Sequence, residues 1–267
     1  TEGGFDAPNT NVVGLAGRTF AIVEAGGKPV ELGYELNTIA HNPFDGTLVG
    51  SYTAHPHHDP ATDEVHAITY RGDEPNKVWH VVMDSNAHVI REEAIAVSDG
   101  PSIHDCAITT NYALVFDLPV TFSMKMLLAG YRFPYAWNDA HPARVGLLPR
   151  KGSGDSIIWV PVEPCYVFHP ANAYETADGK VIVDVVAHET MFAESKRGPD
   201  SQKSRMERWT IDPVAVTTTR AVIHDHAQEF PRYDERLTTR PYRYIYSVAM
   251  PDGESIEWAM ADTRLFK

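Results

Sequence analysis

One layout, met three times along the chain, restricts the fold more than any other feature. A histidine opens a strand, a polar turn follows, and a second, alternating apolar strand comes next. His55 precedes the turn Asp59-Pro60-Ala61-Thr62-Asp63 and the strand pattern of Val65, Ala67, Ile68 and Tyr70. His104 precedes the strand Tyr112 to Phe116, and His169 precedes a turn and the run Val181 to Val186. Asp, Pro, Asn and Gly punctuate the turns, and period-two alternation marks half-buried strands. The leading histidines stand 49 and 65 residues apart. Units of about 40–50 residues with several short strands each are the mark of propeller blades. In a propeller the innermost strands line one axis, so residues distant in sequence can meet there.

The rest of the chain keeps the strand rhythm. Thr10 to Ala16 and Thr19 to Glu24 read as strands around a Gly17-Arg18 turn. Residues 25–46 read as a break and a polar connector. Val78 to Met83, Val89 to Val97, Ala143 to Leu148, Ile157 to Val160, Met206 to Ile211, Val214 to Ile223 and Arg243 to Val248 are further strands. Asp117 to Gly130 departs from the pattern and reads as a short helix or an apolar loop. Helical periodicity is almost absent, and no linker suggests a second domain. The expectation is an all-β chain forming one domain over residues 1–267.

Hydrophobic residues make up 43% of the 267, enough for a sizeable core. A net charge of −13 argues against nucleic acid, which needs a basic stripe, and against broad binding to anionic lipid. Cys106 and Cys165 are the only cysteines, too few for a disulfide scaffold, and point to a reducing compartment. No apolar run reaches the roughly 18 residues that span a bilayer. The opening lacks Met and a signal peptide, and the end stops within a strand-like pattern, so the chain reads as a segment of a longer protein.

Of the 13 histidines, most take the ordinary reading of surface or hydrogen-bonded core residues. That reading covers His41, His57, His58, His66, His80, His88, His141, His188, His224 and His226. His55, His104 and His169 differ because their settings are alike, which makes them candidates to share one metal ion. Imidazole suits iron, zinc, copper and nickel. A ligating histidine needs its other ring nitrogen fixed by a carboxylate or carbonyl. Glu24, ending the apolar run Phe20-Ala21-Ile22-Val23, and Glu229, before Phe230-Pro231, are carboxylates in odd places for an unpaired charge. Cys106 lies two positions after His104 and Cys165 four before His169, so a mixed zinc site is conceivable. There is no C-x-x-C pair, and buried free cysteine is common.

At this level of detail the chain resembles the carotenoid cleavage oxygenase family over nearly its whole length. The resemblance is carried by Asn9-Thr10-Asn11-Val12, Ala21-Ile22-Val23-Glu24, Thr53-Ala54-His55-Pro56, Ile103-His104-Asp105, Phe116 to Phe122, Pro134 to Trp137, Ala143 to Gly146, Glu163 to Glu175 and Glu229 to Arg232. In texture it is most similar to the bacterial apocarotenoid oxygenases. The resemblance implies a seven-bladed propeller of which this chain supplies about four blades, lacking the N-terminal blade and the C-terminal ones. It implies Fe(II) held on the axis by four histidines, His55, His104 and His169 matching the first three. Glu24 matches the carboxylate that orients His104, and Glu229 the one that orients His169. Thr10 falls where the family has a small residue crowding an open iron position. The fourth histidine and a third glutamate are expected beyond Lys267.

The implied reaction is oxidative cleavage of a conjugated carbon–carbon double bond, one O2 giving two carbonyl products. Four neutral imidazoles leave the charge of Fe(II) uncompensated, which disfavours Fe(III) at rest. The polyene supplies the electrons, so no organic cofactor and no acid–base residue is implied. The implied partners are a small apolar polyene and O2. Stilbene-cleaving members carry a lysine at the position of Val23, which favours apocarotenoids over stilbenes here. A stilbene-cleaving dioxygenase and a non-catalytic or inactive propeller fragment remain the alternatives. Phe122 to Leu128 falls where the family has a membrane-dipping entrance, and reads equally as a core-packing segment. Its shortness limits any membrane contact to a weak one, so the expected location is cytoplasmic with at most peripheral contact at the inner membrane surface. The oligomeric state is left open.

Overall fold

The computed structural model describes residues 8–24, 27–41, 44–131, 133–195, 199–200, 203–249 and 264–266. Its strands fall into antiparallel sheets, most of them meanders. The first sheet holds β1 (Asn11–Leu15), β2 (Arg18–Ile22), β3 (Val30–Leu32) and β4 (Thr38–His41). The second holds β5 (His57–Asp59), β6 (Glu64–Tyr70), β7 (Lys77–Met83) and β8 (Val89–Ala96). The third is built from β9 (Cys106–Ile108) and β10 (Tyr112–Asp117), then β13 and β14 after an inserted hairpin. That hairpin comprises β11 (Val120–Phe122), helix α1 (Met124–Leu128) and β12 (Tyr135–Trp137); β13 spans Arg144–Pro149 and β14 Ile158–Pro161. The fourth sheet holds β15 (Tyr166–Glu175), β16 (Val181–His188), β17 (Ser204–Asp212) and β18 (Thr217–His224). A fifth joins β19 (Gln228–Arg232), β20 (Tyr246–Ala249) and β21 (Arg264–Phe266). Among the described residues, four four-stranded sheets and a three-stranded one make a partial β-propeller, the all-β architecture expected from the sequence.

Local chemistry accounts for the hairpins. Between β1 and β2 the chain turns in two residues, Ala16 (φ 50°) and Gly17 (φ 72°), the left-handed pair that matches strand twist. Between β5 and β6 the Asp59 carboxylate accepts from the Ala61 N–H (2.9 Å) and organises the turn. Asp84 does the same between β7 and β8, accepting from Asn86 N–H (3.0 Å) and His88 N–H (2.8 Å). β16 is buried along its whole length, as its run of Val and Ile requires of a central strand. The main core crosses the second, third and fourth sheets through Ile68, Leu114, Val145, Val183 and Trp209. Burial of each such side chain contributes about 1.5–3 kcal/mol.

Several expected elements are placed differently. Residues 30–32 and 38–41, read as connector, form β3 and β4. Asp117 to Gly130 divides into the end of β10, then β11, then α1, capped by the Ser123 hydroxyl on Met126 N–H (3.3 Å). Val214 belongs to a turn that Asp212 organises, and β18 starts at Thr217. His55 and His104 do not open strands: each lies in a loop two residues ahead of β5 or β9. His169 lies inside β15, where the register with β16 shifts between Val167 and Pro170.

Candidate metal centre

The loop carrying His55 is tied at both ends. Asn11 donates from Nδ2 to the Ala54 carbonyl (2.9 Å), and the His55 N–H meets the Thr53 hydroxyl (3.1 Å). The bulge in β15 turns His169 toward the same point, because an irregular ladder re-aims a side chain. The ring centroids of His55, His104 and His169 lie 4.6, 4.9 and 4.9 Å apart, and one ring nitrogen from each lies within 4.8 Å of the other two. The structure thus brings together the three histidines singled out in the sequence.

Two carboxylates decide which nitrogen faces inward. His104 Nδ1–H donates to Glu24 Oε2 (2.5 Å), and His169 Nδ1–H donates to Glu229 Oε2 (2.7 Å). Each neutral ring therefore presents its Nε2 lone pair to the centre. The two Nε2 atoms are 3.2 Å apart, and the buried His55 Nε2 has no hydrogen-bond partner among the described residues. Lone pairs that face each other repel unless a positive charge, a proton or a metal ion, lies between them. Two imidazole nitrogens bound at about 2.1 Å to one ion, at right angles, stand about 3.0 Å apart. The donor set fits a borderline metal ion such as Fe(II).

The electrostatics follow from burial and these pairs. Burial, aided by repulsion from His104, His169 and His57 and opposed by the Asp105 charge, pushes His55 down to about 4. Burial would lower His104 too, but the charge and hydrogen bond of Glu24 outweigh it and raise it. Burial would raise both carboxyls, yet His104 holds Glu24 below the usual carboxylate range and His169 with His188 holds Glu229 there.

Beyond these pairs lie groups that sequence reading passed over. The Tyr70 hydroxyl donates to Glu24 Oε1, and it also meets Ser102 Oγ (3.3 Å). His188 Nε2–H donates to Glu229 Oε1 (2.6 Å), while the Phe230 N–H donates to Oε2 (2.7 Å). His57 Nε2–H donates to Asp105 Oδ1 (2.7 Å), beside His55 and His104. His188 stops the apolar run Val185-Val186-Ala187 at the end of β16, a signal that could have singled it out, whereas Tyr70 closes a strand that already mixes Glu64, His66 and Thr69 and gives none.

Thr10 is exposed; its hydroxyl donates to Asn9 Oδ1 (3.0 Å), and its N–H extends the β1–β2 ladder to the Ile22 carbonyl (3.3 Å). Neither cysteine joins the three histidines. Cys106 is buried near His57 and Asp105, and burial raises its thiol far above the ordinary range. Cys165 lines a separate cavity with Glu207 and Arg220, and burial pushes its thiol up to about 12. Thiols held protonated are poor metal ligands.

The centre lies between two cavities. One, of about 240 Å³, is lined by Phe133, Tyr166, Phe168 and Phe192 and reaches Glu24 and His104. The other, of about 390 Å³, is more polar and touches His55, His57, Asp105, His169 and Tyr233.

A partial propeller with histidines and orienting glutamates gathered at its centre defines a class of metal-centre proteins. The family model for the retinal pigment epithelial membrane protein matches residues 2–265, and the chain belongs to that family, the carotenoid cleavage oxygenases. A carotenoid cleavage oxygenase of Mycobacterium tuberculosis is 39% identical over 295 aligned residues, covering 94% of this chain and 58% of that protein. The structure of a variant of Synechocystis apocarotenoid oxygenase superposes with a TM-score of 0.82 at 26% identity, over 97% of this chain and 59% of the other. A cobalt-substituted form of that oxygenase superposes with a TM-score of 0.79. Pseudomonas brassicacearum lignostilbene dioxygenase gives a TM-score of 0.81 at 25% identity, over 91% and 53% of the two chains. The chain therefore spans a little over half the length of these relatives.

Proposed function

We propose that the chain is part of a non-haem Fe(II) dioxygenase that cleaves a conjugated double bond of a carotenoid or apocarotenoid into two carbonyl products. The observation that carries this reading is the convergence of one ring nitrogen from each of His55, His104 and His169, with Glu24 and Glu229 fixing two of the rings. Bound there, Fe(II) would supply O2 activation at positions the histidines leave free. The protein's part is to hold imidazoles in one tautomer and to present an apolar surface. Phe133, Tyr166, Phe168 and Phe192 beside His104 suit a polyene. Met124, Leu127 and Leu128 of α1 are 57%, 46% and 81% exposed, which supports weak contact with a lipid surface from which such a substrate would come.

The likeness to a lignostilbene dioxygenase makes a phenolic stilbene the second reading. Val23, with no charge or hydrogen-bonding side chain beside Glu24, disfavours it. The test uses the complete polypeptide loaded with Fe(II) and mixed with an apocarotenal under O2. Polyene absorbance is expected to fall as two carbonyl products appear. Bound iron without that loss overturns the carotenoid reading, and cleavage of a 4-hydroxystilbene in its place carries the second. Less than about 0.2 equivalents of iron points to a non-catalytic module.

A further inference from the structure

We propose that His188 is a positioning residue for the metal centre, fixing the Glu229 carboxylate so that Glu229 can fix His169. His188 ends β16, directly across the ladder from Tyr166 at the start of β15, and its side chain is fully buried. Its ring stands edge-on to Phe168, with centroids 5.6 Å apart. A buried imidazole has a cost that an apolar ring of the same shape avoids, so its polar contacts should account for its presence. Nε2 donates to Glu229 Oε1 at 2.6 Å, and Nδ1 has no hydrogen-bond partner among the described residues. The one polar service His188 performs is therefore to the carboxylate.

That service matters because of how a carboxylate rotates. The terminal torsion of a glutamate is broad, so a single hydrogen bond leaves its plane free. Glu229 Oε2 is shared between His169 Nδ1–H and the Phe230 N–H, both at 2.7 Å. The bond from His188 to Oε1 adds the second point that sets the plane. Glu24 is built alike, with Oε2 on His104 and Oε1 on the Tyr70 hydroxyl. In each clamp a buried donor from a neighbouring strand locks the carboxylate that locks the ligand, and partners of this kind bear on metal affinity as well as geometry.

The inference rests on the metal-centre reading, and the experiment separates the two. Co(II) is titrated into metal-free complete polypeptide, and its visible absorption band reports affinity and ligand geometry. His188→Phe keeps the ring packed on Phe168 and removes the donor. Its Co(II) affinity is expected to fall about 10-fold, with a changed band, at the lower end of what outer partners contribute. His188→Gln, whose amide can donate to Oε1, is expected to recover most of the affinity and the original band. If His188→Phe does not fold, His188→Leu against His188→Gln makes the same comparison. A wild-type band that His104→Ala abolishes but His188→Phe leaves unchanged in position and affinity overturns this inference alone. A wild-type protein with no His104-dependent band overturns the metal-centre reading and this inference with it.

Discussion

His66 and His80 are fully buried, more deeply than His104 and His169, whose side chains stay 15% and 13% exposed. Their rings stack with centroids 5.2 Å apart and planes 12° from parallel. Yet they form a different kind of cluster. Arg150 donates from Nη2 to His66 Nε2 (2.6 Å), so His66 must donate from Nδ1 to His80 Nε2 (3.0 Å). The same guanidinium meets Asp59 (2.6 Å) and Glu64 (2.9 Å). Every inward lone pair of this pair is spent, and a cation already sits where a metal would. Around His104 and His169 the carboxylates take the outer N–H groups and leave the inner lone pairs open. Close packing of histidines is therefore no sign of a metal centre. What distinguishes one is the sign of the charge behind the rings: a carboxylate turns lone pairs inward, whereas a guanidinium consumes them.

The largest effect that sharpens this contrast is expected from His104→Ala. It removes one open lone pair and frees Glu24, and iron in the purified complete polypeptide should drop below about 0.1 equivalent. Metal analysis checks it, and iron retained at the wild-type level would show that this cluster does not hold the metal. The next effect lies in the other cluster. Arg150→Met leaves the buried Asp59 carboxylate without its cation, a loss of about 3–5 kcal/mol of stability. Urea unfolding checks it, while the folded fraction should bind metal as before. A loss under about 1 kcal/mol, the range of exposed pairs, would remove Arg150 from its structural role.

How much of this was legible before the structure depends on how far each role reaches along the chain. The all-β architecture followed from alternation and turn residues. His55, His104, His169, Glu24 and Glu229 stood out because histidines in like settings and carboxylates beside apolar runs break the local pattern, and the family resemblance assigned them to one another. β3 and β4 escaped because three or four residues, of which Val30 alone is buried, carry too little periodicity. α1 is five residues long and shows no helical period. His169 was read as a strand opener because its setting is like those of His55 and His104, although Pro170 follows it and proline in a sheet is confined to edges and bulges. Here a bulge accommodates the proline inside β15. The roles of Tyr70, His188 and Arg150 arise only from pairing between distant segments. Arg150 lies 91 residues from Asp59, and His188 lies 41 from Glu229. No local signal in a single sequence joins such positions.

The smallest effect separates the clusters by acid. Burial, with the nearby charges of His80 and Arg150, pushes His66 down to about 2, and burial with Arg91 and Arg150 pushes His80 down to about 3. An unfolded chain has histidines near 6.5. As pH falls below that value the unfolded state takes up protons that the folded cluster refuses, so the stability these residues contribute is complete above about pH 6.5 and is lost toward pH 3. In the metal-free protein His104 works the other way. Raised by Glu24, it favours the fold below about pH 6.5 and loses that contribution as pH rises. Comparing wild type with a His80 variant cancels the His104 contribution, since both chains carry it. His80→Gln supplies an oxygen that accepts from His66 Nδ1–H and does not titrate. Between pH 7 and pH 5 the metal-free wild type should lose about 2 kcal/mol more stability than this variant. Denaturant unfolding at the two pH values measures the difference. Equal losses would mean that His80 accepts its proton without unfolding, and the cluster would then be as open as the one on the axis.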